Sequence, residues 1–132
     1  MAELVGIVLV SHSEQLASGL RELLLQIGAA GLPVSVAAGT DDGRLGTSYE
    51  RIATAITSVD QGAGVLLLTD LGSAVLTARA VLADRAADSA EVVLVDAPFV
   101  EGAVAAAAIA ATGADLATVR AAAEEARDVR KL

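Results

Sequence analysis

One histidine occurs among the 132 residues, and it stands between two serines in the stretch Val10-Ser11-His12-Ser13-Glu14. An imidazole near neutral pH can act as a nucleophile, a proton carrier or a metal ligand. Metal binding is not expected, because one His and no Cys fall short of a ligand set. A lone histidine is ordinarily a surface or capping residue. Here it follows an apolar run and opens a helical pattern. A helix N-terminus stabilises an anion such as a phosphoryl group and disfavours a permanently charged ring. A nucleophilic imidazole also needs one ring nitrogen held by an acceptor so that the other is free. Asp70, in Thr69-Asp70-Leu71-Gly72-Ser73, follows another apolar run and is the candidate acceptor. It reads equally well as an N-cap or turn residue.

A third polar stretch, Gly39-Thr40-Asp41-Asp42-Gly43-Arg44-Leu45-Gly46-Thr47-Ser48, holds three glycines and three hydroxyls. Such a loop can turn backbone N–H groups toward phosphate, or be a tight turn that needs positive φ. It lacks the Gly-Lys-Ser/Thr of a P-loop, and no G-x-G-x-x-G follows a strand. Asp41 and Asp42 read as turn residues, since a third acid for a metal is missing nearby. No serine sits in a nucleophile elbow, which argues against serine hydrolase chemistry. A receiver domain fails as well, because Ser11-His12 replaces the acidic pair after the first strand and no strand-end lysine is present.

The elements that must position these residues follow from the apolar patterning. Leu4–Val10, Pro33–Ala38, Ala63–Leu68 and Glu91–Val95 are short apolar runs of the kind buried on both faces of a parallel sheet. Between them lie helical patterns. The first has Leu16, Leu20, Leu23, Leu24 and Ile27 in register and ends between Gly28 and Gly31. The second has Tyr49, Ile52, Ala53, Ile56 and Val59 on one face, with Thr47-x-x-Glu50 as a capping box; the third runs to about Asp84. Pro98 suits the first position of an Ala-rich helix ended by Gly113. Asp115 caps a last helix with Leu116, Val119, Ala123 and Ala126 inward.

The expected fold is therefore α/β: one domain over 1–132, a parallel sheet of four strands with helices on both faces and an additional C-terminal helix. Ligands of such sheets bind at the carboxyl ends of the strands. Ser11-His12-Ser13, Gly39-Thr40 and Thr69 through Ser73 stand there, as does Asp96-Ala97-Pro98. Three of these tips can converge on one shallow, hydroxyl-rich pocket. The Ala-rich helix is apolar nearly all round, so it is either buried or covered by a second subunit.

Composition narrows the partners. The chain has 9 Lys+Arg against 17 Asp+Glu, a net charge of −8, which argues against nucleic acid. Hydrophobic residues are 55% and aromatics 2%, so the core must be made of small aliphatics. The absence of Cys fits a reducing cytosol, no signal peptide is read at the N-terminus, and Gly102 to Ala111 is too short to insert in a membrane. A cytoplasmic protein is expected.

GIVLVSHSEQLASGL, GTDDGRLGTS, GVLLLTDLGSAVLTAR and VVLVDAPFVEGAVAAA together resemble the mannose-type enzyme IIA family of the phosphotransferase system. Within it, they resemble the phosphotransferase subunits of phosphoenolpyruvate-dependent dihydroxyacetone kinases. The resemblance runs from Val5 to about Ala111. It implies that His12 accepts phosphate from the phosphocarrier HPr and that Asp70 orients the ring. The loops around Gly39-Thr40 and Leu71-Gly72-Ser73 would shape the pocket, with Ser11, Ser13 and Thr69 beside them. Phosphate would pass to ADP, with Mg²⁺, on the partner subunit DhaL, for dihydroxyacetone held on DhaK in glycerol metabolism. This chain itself would bind no cofactor. Some family members carry fused HPr-like and enzyme I-like domains; a chain ending at Leu132 would draw on separate donors. The family is homodimeric. Two other readings stand beside this one: a mannose/fructose-type IIA domain that passes phosphate to a IIB domain, and a non-catalytic regulatory module of the same fold.

Overall fold

The computed structural model describes residues 3–28, 31–40, 42–44, 46–86 and 89–132. Four strands form a parallel sheet in the order β2-β1-β3-β4. They are β1 (Gly6–Ser11), β2 (Val34–Ala38), β3 (Val65–Thr69) and β4 (Val92–Leu94). The helices are α1 (Glu14–Ile27), α2 (Tyr49–Val59), α3 (Gly72–Ala83), α4 (Phe99–Ala110) and α5 (Leu116–Glu125), and a 3₁₀ turn over Ala126–Asp128 follows. None of the described helices is long and apolar enough to cross a membrane.

The period-2 alternation of strand side chains divides the core in two. Ile7 and Leu9 of β1 pack with Leu66 and Leu68 of β3 beneath α1, α4 and α5. Val8 and Val10 pack with Val65 and Leu67 beneath α2 and α3. Both central strands are thus apolar at every core position, as strands buried on two faces must be. β4 departs from that expectation. It is an edge strand, and Val92, Val93 and Leu94 are each only half-buried.

Several boundaries differ from the sequence expectation. β1 begins two residues later and runs on through Ser11, because that serine still pairs with Ala38. The predicted capping box at Thr47 is not formed. Ser48 is the N-cap of α2 and accepts from the Arg51 N–H at 3.4 Å, while the Thr47 hydroxyl pairs with that of Thr77 at 2.8 Å. Pro98 stands at the N-cap rather than inside α4. On α1 the buried residues are Ala17, Leu20 and Leu24, and Leu16, Leu23 and Ile27 face solvent. Tyr49 is likewise exposed and donates its hydroxyl to Asp84 at 2.7 Å. The expected cap of α5 is formed: Asp115 accepts from Thr118 N at 2.9 Å, and Leu116, Val119, Ala123 and Ala126 are buried.

Small residues let these layers approach closely. The buried side of α4 is Gly102, Ala103, Ala106, Ala107 and Ala110, nothing larger than a methyl. Gly6 lies against the end of α2, where a Cβ would stand 2.4 Å from the Val59 carbonyl oxygen. Backbone cannot yield there as a flexible side chain would, so overpacking dominates. Gly6→Ala is expected to cost about 1–3 kcal/mol, read as a lower urea midpoint at unchanged slope.

Candidate functional site

The strand order sets β1 between β2 and β3, so the tips of these three strands lie side by side. His12 is the first residue past β1. Behind it Gly39 N–H donates to Ser11 O at 3.3 Å, and Asp70 N–H donates to Val10 O at 3.1 Å, which locks the neighbouring tips in register. Gly39 turns the chain out of β2 at φ +73°, a conformation that costs glycine nothing. The loop then folds back, and Gly46 N–H donates to the His12 carbonyl at 3.1 Å.

Asp70 organises the site. Its Oδ1 lies 3.0 Å from His12 Nδ1 and accepts from Leu71 N–H at 2.7 Å. Its Oδ2 accepts from the Ser11 hydroxyl and from the His12 backbone N–H, both at 2.9 Å. Of the two sequence readings for Asp70, the ring acceptor is the one its geometry supports; Leu71 is the N-cap of α3. A carboxylate accepts only, so Nδ1 carries the proton and Nε2 bears the lone pair. Nε2 faces outward, 2.5 Å from the Ser73 hydroxyl. Burial alone would push the Asp70 carboxyl up. The donors from His12, Ser11 and Leu71 outweigh it and hold the group below its ordinary value.

The other sequence candidates fall in different places. Ser13 caps α1, accepting from Leu16 N–H at 3.3 Å. Ser13, Gly39 and Thr40 line a cavity of about 280 Å³ beside His12, together with Glu14, Gln15 and Arg44. Leu71 is 62% exposed at the rim, and Gly72 begins α3 with open space about it. Thr69 closes β3 one residue before Asp70, opposite Val10. Ser11 is fully buried and serves Asp70 rather than the cavity. Asp42 accepts from the Thr40 hydroxyl and pairs with Arg44 at 3.2 Å, a turn role as expected. Asp41 and Leu45 lie outside the described residues. The β4 tip takes no part in this cluster: Asp96 pairs with Arg127 at 3.5 Å. Sequence reasoning missed Gln15 and the Gly46 N–H; the latter's only signal is a glycine in the loop.

An imidazole whose Nδ1 is held by a part-buried carboxylate, with Nε2 at the carboxyl edge of a parallel α/β sheet, has one ring nitrogen free for chemistry. Residues 6–120 match the family model of the phosphotransferase-system fructose IIA component, EIIA-man. The phosphoryl donor subunit DhaM of the phosphoenolpyruvate-dependent dihydroxyacetone kinase of Escherichia coli is 40% identical over 117 residues, which is 86% of this chain and 25% of that protein. DhaM of kinase 2 of Listeria innocua is 36% identical over 101 residues, 76% of this chain and 81% of that one. A crystal structure of a protein of unknown function superposes with TM-score 0.80 at 34% identity, covering 92% of this chain and 94% of the other. The chain belongs to the fructose IIA component family and, within it, to the DhaM subunits of dihydroxyacetone kinase. It spans a quarter of the length of the E. coli relative and most of the length of the Listeria one.

Because the folded Asp70 titrates below its unfolded value, its charge stabilises the fold above the unfolded pKa of about 3.9. That contribution is lost as pH falls through the depressed folded value. Stability measured by urea unfolding between pH 6 and pH 2.5 should therefore decline more steeply in the wild type than in Asp70→Asn. Parallel curves would show that the carboxylate adds nothing to the fold.

Proposed function

We propose that this protein is a phosphoryl carrier in which His12 takes phosphate from the phosphohistidine of HPr. It then passes the group to ADP and Mg²⁺ held by a DhaL subunit, which phosphorylates dihydroxyacetone on DhaK. The observation that carries this reading is the His12 ring, with Nδ1 held by Asp70 and Nε2 at the solvent edge. The family membership and the printed role of the DhaM relatives, phosphoryl donor, support it.

In the transfer, the Nε2 lone pair attacks phosphorus and the bond from phosphorus to the donor's imidazole nitrogen breaks, its electron pair returning to that ring. The His12 ring gains positive character, and the Asp70 carboxylate 3.0 Å away offsets it without taking the Nδ1 proton. At rest the Ser73 hydroxyl donates to the Nε2 lone pair; with phosphate in place it would turn to a phosphoryl oxygen. The first turn of α3 has no side-chain cap at Leu71; the Ala74 N–H donates to the Leu71 carbonyl at 3.1 Å, and those of Gly72 and Ser73 are available to the same anion.

Charge supports a partner-held nucleotide. Glu14, Asp42 and Asp70 surround the site, and Arg44, the cation in the cavity lining, is paired with Asp42 at 3.2 Å. A free nucleotide diphosphate would meet mostly like charge in a protein of net −8. A subunit whose metal ions screen the phosphates removes that obstacle.

The test is labelling by phospho-HPr. His12→Ala should take up no label and keep its fold, and Asp70→Ala should be slowed by about 10²–10⁴. Label persisting in His12→Ala would overturn the assignment. Wild-type protein loaded with label should discharge to DhaL with Mg-ADP, and neither to free Mg-ADP nor to a sugar-transport IIB domain. Discharge to the IIB domain alone would move the chain to the sugar-transport reading, and no labelling at all would leave a non-catalytic module.

A second copy covering α4 belongs to the same proposal. Val100, Val104, Ala105, Ala108 and Ile109 line one wall of an apolar groove of about 530 Å³, and Val129, 71% exposed, lines the other. A mostly apolar lining of this kind, with Glu101 and Glu125 at its margin, is a feature of homodimer contacts. Ala108 is exposed, so Ala108→Glu leaves the monomer core untouched. Light scattering at micromolar concentration should give a dimer for the wild type and a monomer for this variant.

A further inference from the structure

We propose that Ser11 is a positioning residue for phosphoryl transfer: its buried hydroxyl fixes the Asp70 carboxylate and, through it, the Nδ1–H tautomer of His12. The inference rests on the carrier reading for its effect on transfer, and on geometry alone for its effect on the ring.

Ser11 Oγ accepts from Ser13 N–H at 3.1 Å. That bond occupies the side of the oxygen toward α1 and leaves the hydroxyl hydrogen to point at Asp70 Oδ2, 2.9 Å away. A hydroxyl has one proton to give, and here it is directed into an ionised acceptor. Ser11 is 0% exposed and is the one buried polar residue among those described. Solvent does not reach this hydroxyl, whereas Ser13 is half-buried and Ser73 exposed.

Without Ser11, Oδ2 keeps one donor, the His12 N–H, while Oδ1 keeps the ring and Leu71 N–H. Oδ2 then rests on a single donor, and the carboxylate is held less firmly in the orientation that meets Nδ1–H. The other charged groups at the ring are few. Glu14 of α1 and Arg44 of the β2–α2 loop line the cavity, Arg44 is paired with Asp42, and the first turn of α3 contributes no acid. None of these can take over the Nδ1 contact, since Asp70 already occupies it at 3.0 Å.

The experiment is ¹⁵N NMR of the His12 ring in the unphosphorylated full chain, for wild type, Ser11→Ala and Ser11→Thr, with an amide spectrum as the fold check. The wild type should show a protonated Nδ1 and an unprotonated Nε2. Ser11→Ala should show a mixture of tautomers and roughly 10-fold slower labelling by phospho-HPr, the range expected when a supporting hydrogen bond is lost. Ser11→Thr, which returns the hydroxyl, should recover both. An unchanged ring spectrum in Ser11→Ala, or an equal loss in Ser11→Thr, would overturn the proposal. Should the alanine variant fail to fold, Ser11→Cys keeps the volume with a weak donor and is read by the same criteria. If His12 takes no phosphate even in the wild type, the carrier reading fails while the ring spectra still decide the role of Ser11.

Discussion

The site depends on one carboxylate accepting four hydrogen bonds. Asp70 takes donors from Ser11, from the backbone and ring of His12, and from Leu71. These donors come from two strand ends, and only a parallel arrangement with β1 beside β3 brings them together. Adjacent strands lie about 4.8 Å apart, a gap that an aspartate at one tip spans to reach the residue at the next. A lysine-sized reach would be too loose, and an antiparallel neighbour would put a strand's beginning where its end is required. The sheet order β2-β1-β3-β4 is in this sense a condition of the chemistry.

Much of this was legible from the residue pattern, for a definite reason. Apolar runs without alternation occur where both faces of a strand are covered, and β1 up to Val10 and β3 up to Leu68 obey that rule. His12 and Asp70 were legible because polar residues that follow such runs have nowhere to go but the carboxyl edge. What escaped the pattern depends on contacts between segments distant in sequence. Thr47 looked like a cap because Glu50 stands three positions on, yet its hydroxyl is taken by Thr77, 30 residues away. Leu16, Leu23 and Ile27 looked like core because they recur with helical spacing, but Ala17, Leu20 and Leu24 already fill the space over the sheet. Ser11 looked like a pocket hydroxyl because nothing local distinguishes a serine at the end of a strand from one just past it. Its burial follows from pairing with Ala38 on one side and from Asp70 above.

The helix starts differ in how their first-turn N–H groups are met. Ser13, Ser48 and Asp115 each place a side-chain oxygen on a first-turn N–H of α1, α2 and α5. Such a cap contributes roughly 1 kcal/mol. α4 begins without a side-chain cap at Pro98, and α3 begins at Leu71, which has no acceptor to offer and exposes most of its side chain. A sequence shaped only for stability would place Ser, Thr, Asp or Asn there, and Asp70 stands one residue too early to serve. Its carboxylate turns back to His12 and Ser11, and in α3's direction reaches only the Leu71 N–H. The omission falls at the one helix start whose first turn carries Ser73 against Nε2. Local rules are broken where function needs the unsatisfied groups. Here the uncapped turn is the one that sets Ser73 against the nitrogen that would carry the anion, and a side-chain cap at Leu71 would compete with phosphate for its N–H groups.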